Sequence, residues 1–179
     1  YPVPKNSVDP AIVPGGSSSG SAVAVGHGFV RFSLGTDTEG SGRVPAGLNN
    51  IVGLKPTIGT VSATGLVPAC RTLDTISVFA LTVEDAMAAY AAMAGYDEAD
   101  AYSRRFPTPA LAPKPPRFVL GVPTPETREF FGDAVQQASY ERSLDRLVAL
   151  GADIREIDFT PFYRVAEMLY EGAWVAERY

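Results

Sequence analysis

Apolar and polar positions change period several times along the chain, and each change marks an element. Residues 1–20 are dense in Pro, Gly and Ser, carry no period and read as loop. The small apolar run at 21–25 predicts a short buried helix. Residues 29–34 alternate roughly between apolar and polar and predict a strand. Residues 35–42 form a turn-rich loop leading into a short helix at 45–50. Residues 51–75 break into strand and loop pieces punctuated by Gly and Pro. Thr82 then opens a helix, with Glu84 and Asp85 in its first turn and Gly95 just past its end. Val83, Met87, Tyr90 and Ala94 supply its apolar face.

The Pro-rich stretch 103–116 is a connector, and 118–122 is a strand. The longest helix covers 132–150, with a stripe of Val135, Tyr140, Leu144, Leu147 and Val148 and with Gly151 after its end. A strand follows at 152–157. Thr160 is then placed as an N-cap, with Pro161 at the first helical position and a helix running on toward Tyr179. Strands alternating with helices give an α/β layered fold. There are no internal repeats.

Composition narrows the class. At 179 residues the chain can bury one core, and 46% apolar with 20% charged residues is a globular profile. A net charge of -5 with no basic cluster argues against nucleic acid as a partner. No apolar run approaches the roughly 20 residues that span a bilayer. Cys70 is the single cysteine, so no internal disulfide forms, which fits a reducing compartment. Tyr1 is not an initiator Met and the last residues read as mid-helix, so a fragment of one longer catalytic domain is expected. Such a piece leaves sheet edges and apolar faces uncovered and is expected to dissolve poorly alone.

Two clusters carry candidate chemistry. Ser17, Ser18 and Ser19 lie between Gly16 and Gly20. Gly/Ser tracts are usually flexible linkers, but Ala22, Val23, Ala24 and Val25 follow at once, which argues for packing against a core. The second cluster is Gly35-Thr-Asp-Thr-Glu-Gly-Ser-Gly-Arg43. A Gly-rich turn after a strand can aim several backbone N–H groups at a developing oxyanion; an ordinary strand-to-helix turn capped by Ser41 fits equally well. A serine nucleophile needs a base. His27 is the lone histidine and reads as structural or exposed, so no His-centred triad is evident.

These blocks, Gly15-Gly-Ser-Ser-Ser-Gly-Ser-Ala22, then 35–43, then Gly53-Leu-Lys-Pro-Thr57, resemble the amidase signature family. The resemblance implies the amidase-signature fold: a mixed β-sheet core covered by helices, here a partial domain. It implies a Ser–Ser–Lys triad with Ser41 as nucleophile and Ser17 as a proton-relaying serine after a cis peptide bond. Thr38, Glu39 and Gly40, with Ser41, match the oxyanion-hole backbone. Asp37, Arg43 and Ser18 flank and organise the loop. The family's lysine lies well upstream of the Gly/Ser tract, so it is expected outside this chain; neither Lys5 nor Lys55 is assigned the role, and Lys55 reads as structural. A lysine held neutral by its surroundings serves as the base in such a relay. Glu39 stands where the family usually has Gly or Ala, and its carboxylate is expected to point away from the developing charge.

Further blocks, 45–56, 65–74, 77–85 and the terminal Leu169-Tyr-Glu-Gly-Ala-Trp-Val-Ala-Glu-Arg-Tyr179, resemble the allophanate hydrolases within that family. This implies hydrolysis of allophanate (urea-1-carboxylate) in urea degradation, with Tyr170 and Arg178 binding substrate. A small anionic substrate calls for a planar cation, and Arg supplies paired N–H donors. On a straight helix these two residues would stand about 12 Å apart along the axis, so they converge on one small ligand only by reaching from opposite sides or if the helix bends, with Gly172 the candidate. Trp174, Phe162 and Leu169 read as core, and Arg71 and Asp74 as a local pair without a catalytic role. The resemblance further implies a cytoplasmic enzyme, a homodimer, a functional link to urea carboxylase, and no cofactor or metal. Two alternatives stand beside it: another amidase-signature amidase or transamidation subunit, and a catalytically inactive module, since the triad lysine is not matched here.

Overall fold

Ile76–Ala80 (β3) is the strand on which the first unit is built. In this computed structural model, which describes residues 2–107 and 110–178 with the Arg178 side chain excepted, the chain divides into two compact units. One is Tyr1–Leu111 with Trp174–Tyr179, and the other is Ala112–Ala173. β3 lies between Phe32–Thr36 (β1) and Val52–Leu54 (β2), and both neighbours run antiparallel to it. Phe32 pairs with Ala80 and Thr36 with Ile76 on one side; Val52 pairs with Ala80 and Leu54 with Val78 on the other.

Both faces of β3 are covered, so its side chains sort by parity. Val78 and Ala80 pack with Ala86, Ala89 and Tyr90 of the helix Val83–Met93 (α3). Phe79 packs on the other side with Ala22 and Val25 of Ser19–Gly26 (α1) and Ala46 of Arg43–Leu48 (α2). Phe79 is fully buried, and truncating such a ring to Ala costs about 3–5 kcal/mol. The result is a helix–sheet–helix sandwich that fixes the loops between β1 and α2.

In the second unit Phe118–Pro123 (β4) and Ala152–Ile157 (β5) pair in parallel, Phe118 opposite Ala152 and Pro123 opposite Ile157. Ala134–Ala149 (α4) connects them, capped by Asp133, whose carboxylate accepts from the Val135 and Gln136 N–H groups. Thr160–Glu171 (α5) follows.

Several expectations are corrected. β1 starts at Phe32, not at 29, because Gly28 turns the chain at φ +73° and the Phe29 N–H still bonds back to the Ala24 carbonyl. α2 starts at Arg43, earlier than expected, since the Gly40 and Gly42 carbonyls already accept from Val44 and Ala46. Thr160 is the first residue of α5 and not its cap; its own N–H donates to the Asp158 carboxylate. α5 ends at Glu171, Gly172 leaves helical geometry at ψ -172°, and a 3-10 turn covers Ala173–Arg178. Leu169 is buried, whereas Phe162 is exposed and packs on Phe159. Val83 is exposed, and the expected stripe of α4 contains no buried residue. Arg71 does not pair with Asp74, whose carboxylate is occupied by the Thr38 hydroxyl and the N–H groups of Ala69 and Cys70.

Candidate active site

The Gly/Ser tract is not a linker. The Ser18 hydroxyl accepts from the Thr36 N–H and donates to the Thr36 carbonyl, both at 3.2 Å. The Ser21 hydroxyl donates to the Leu34 carbonyl at 2.8 Å, and Ser33 returns a bond to the Ser21 carbonyl at 2.8 Å. These contacts stitch the start of α1 along β1. They need close approach: a Cβ on Gly35 would stand 2.6 Å from both Phe79 and the Ser18 hydroxyl. Upstream, buried Asn49 accepts from the Ser7 N–H and donates to the Pro14 and Pro45 carbonyls, fastening the N-terminal loop to α2.

The tract meets the loop around Ser41 through a backbone bond. The Ser18 N–H donates to the Ser41 carbonyl at 3.2 Å. Ser17 is exposed beside it, and the Gly16–Ser17 peptide bond is cis. Ser41 is half-buried at the turn entering α2. Thr38, Glu39 and Gly40 form the bend before it, and Glu39 is exposed.

Asp37 holds that bend from beneath. It is fully buried, and its carboxylate accepts from Arg43 Nε at 2.9 Å, Arg43 Nη2 at 3.1 Å, the Arg43 N–H at 3.0 Å and Lys55 Nζ at 3.1 Å. Burial alone would push this carboxyl up. The Arg43 side chain and backbone, followed by the Lys55 ammonium, outweigh it and hold Asp37 well below the usual carboxylate range. The Asp37 hydrogen bond raises the Arg43 guanidinium in turn. A Cβ on Gly42 would stand 3.0–3.1 Å from Ser77 and Asp37, so the turn into α2 has no spare room.

Lys55 Nζ also donates to the Thr38 carbonyl at 3.0 Å. The Lys55 side chain thus braces the bend at both the Asp37 carboxylate and the Thr38 carbonyl. The Thr38 hydroxyl donates to Asp74 Oδ1 at 2.5 Å. Thr38 is thus gripped at its side chain and its carbonyl, which fixes the peptide plane of the bend. Sequence reasoning missed this grip by Asp74. The two residues lie far apart in the chain, and no periodicity links them.

The remaining candidates fall elsewhere. His27 is exposed at the end of α1 and stacks on Phe29. Lys5 is exposed, and Lys114 Nζ donates to the Leu150 carbonyl. Tyr170 is exposed on α5 in the second unit. The Arg178 side chain lies outside the described residues. Cys70 is fully buried; burial first, then its hydrogen bond to Glu177, raises its thiol. Among the described residues no cluster of His, Cys, Asp and Glu is arranged to hold a metal, and no helix is long and apolar enough to cross a membrane.

A model of the amidase family, described as Amidase, matches residues 1–179. The chain belongs to the amidase family. It is 49% identical over 168 residues to a urea amidolyase of Lachancea kluyveri, covering 93% of this chain and 9% of that protein. It is 41% identical over 156 residues to a glutamyl-tRNA(Gln) amidotransferase chain of Lactococcus lactis subsp. lactis, covering 86% of this chain and 32% of that protein. Among solved structures it superposes on Kluyveromyces lactis allophanate hydrolase with a TM-score of 0.91 at 46% identity, covering 98% of this chain and 28% of that one. The α/β amidase-signature fold expected from the sequence is what these structures share with it. The chain spans between about a tenth and a third of the length of these relatives.

Proposed function

We propose that this chain contributes the nucleophile centre of an amidohydrolase, as part of a single catalytic domain, and that its substrate is allophanate. The observation that carries the reading is the Ser18 N–H to Ser41 carbonyl bond. It joins the Gly/Ser tract to a loop already clamped by Asp37 and Asp74. Ser41 Oγ attacks the amide carbon, and Ser17 accepts its proton and passes it to a lysine that none of Lys5, Lys55 and Lys114 matches. Charge on the carbonyl oxygen develops toward the backbone N–H groups of residues 38–41. Pre-positioned amides of this kind are worth about 10²–10³ in kcat each. Arg178 meets the substrate carboxylate, and Tyr170 is the other residue assigned to substrate.

Identity to urea amidolyases and to an allophanate hydrolase supports the substrate. It also supports a place in urea degradation, and the proposal extends to a urea carboxylase supplying allophanate and to a cytoplasmic enzyme acting as a homodimer. A second reading, an amide-hydrolysing transamidation subunit, draws on the amidotransferase likeness. One experiment separates them. In the intact protein, Ser41→Ala abolishes allophanate turnover, and Arg178→Ala raises KM for allophanate about tenfold or more while KM for a neutral amide changes little. Turnover of glutamine without allophanate favours the second reading, and equal effects of Arg178→Ala on both substrates defeat the carboxylate contact.

A further inference from the structure

We infer that Glu177 is a positioning residue that ties the terminal segment carrying Arg178 to the nucleophile loop through the turn at residues 69–74. This rests on the reading of Arg178 and residues 38–41 given under Proposed function. Three bonds converge on the Glu177 carboxylate. The Thr72 N–H donates to Oε2 at 3.1 Å, the Thr72 hydroxyl to Oε1 at 2.7 Å, and the Cys70 thiol to Oε2 at 3.2 Å. Two oxygens held by one short loop fix orientation as well as distance. The same contacts keep Glu177 ionised: the Thr72 hydroxyl and N–H bonds lower its carboxyl below the ordinary value.

The turn that receives Glu177 is itself rigid. The Leu73 and Asp74 N–H groups both return to the Cys70 carbonyl, at 2.9 and 2.8 Å. Asp74 Oδ2 binds the Ala69 and Cys70 N–H groups at 2.8 and 3.0 Å, and its Oδ1 receives the Thr38 hydroxyl. The turn therefore grips the nucleophile loop with one carboxylate and is gripped by Glu177 with another. Cys70, fully buried between them, takes part in both sets. Glu177 immediately precedes Arg178, so fixing its carboxylate sets where the next residue's backbone stands relative to Thr38. These three bonds tie residues 173–178 to the turn at 69–74.

The test uses Glu177→Ala, Glu177→Gln and Thr72→Val in the intact protein. Hydrogen exchange is measured first, because it needs no substrate. Faster exchange is expected both in residues 173–178 and in residues 36–41, with the melting temperature within a few degrees of the parent. Kinetics follow. KM for allophanate rises about tenfold and kcat changes less than about threefold, while a neutral fluorophosphonate labels Ser41 at the parent rate. Faster exchange confined to 173–178, or an unchanged KM in a parent that turns over allophanate, overturns the inference. So does parallel loss of probe labelling and melting temperature in all three variants, which marks a merely structural contact. A parent that does not hydrolyse allophanate defeats the substrate reading, and the exchange result still decides whether Glu177 couples the two segments.

Discussion

Asp37→Asn tests whether the loop around Ser41 is held by a buried anion. The substitution keeps one acceptor oxygen and the side-chain shape. It removes the charge and presents an NH₂ group to cations that stand 2.9–3.1 Å away. Breaking a buried pair from one side costs about 3–5 kcal/mol. Arg43 is 53% exposed, so its guanidinium regains water and its share is discounted. Lys55 is only 20% exposed and recovers less. About 2–4 kcal/mol is therefore expected, read as a lower urea midpoint of the intact protein at neutral pH. The pH dependence gives an independent check. The folded Asp37 carboxyl titrates below its unfolded value, so its stabilisation is complete above about pH 5 and is lost as pH falls through about 4 and below. The parent should lose stability in that window more steeply than Asp37→Asn. A variant within about 0.5 kcal/mol of the parent, with the same acid slope, would refute the clamp.

Two further substitutions probe the stitching of α1 to β1. Gly35→Ala places a methyl 2.6 Å from Phe79 and Ser18; a cost of about 1–3 kcal/mol is expected, together with slower probe labelling of Ser41, and a neutral thermal shift would show that the interface yields. Ser18→Ala leaves the Thr36 N–H and carbonyl without their side-chain partner; about 1–2 kcal/mol is expected by urea unfolding, and a larger loss in kcat than in stability would mean that Ser18 also takes part in proton movement.

What could be read from the sequence was what is local. Thr82 with Glu84 and Asp85 marked the start of α3, and the Thr82 side chain indeed accepts from the Asp85 N–H. The Gly/Ser blocks around Ser17 and Ser41 stood out because each is a short contiguous motif. β3 did not stand out, although it is the central strand. Covered on both faces, it shows an unbroken buried run and no alternation. The stripe of α4 was legible as a stripe, but none of its residues is fully buried here and Val135 and Val148 are exposed, since a pattern shows which face is apolar and not what covers it. The grips of Asp74 on Thr38 and of Glu177 on Thr72 span 36 and 105 positions. Contacts between single polar side chains at such separations leave no periodic trace, so only the folded chain displays them.

The central claim is that Ser41 is the nucleophile. The direct measurement is reaction of the intact protein with a fluorophosphonate, with the modified residue located by peptide mass spectrometry. The account predicts one adduct, on Ser41, with stoichiometric loss of allophanate hydrolysis and no adduct in Ser41→Ala. An adduct on another serine, or allophanate hydrolysis persisting in Ser41→Ala, would contradict it.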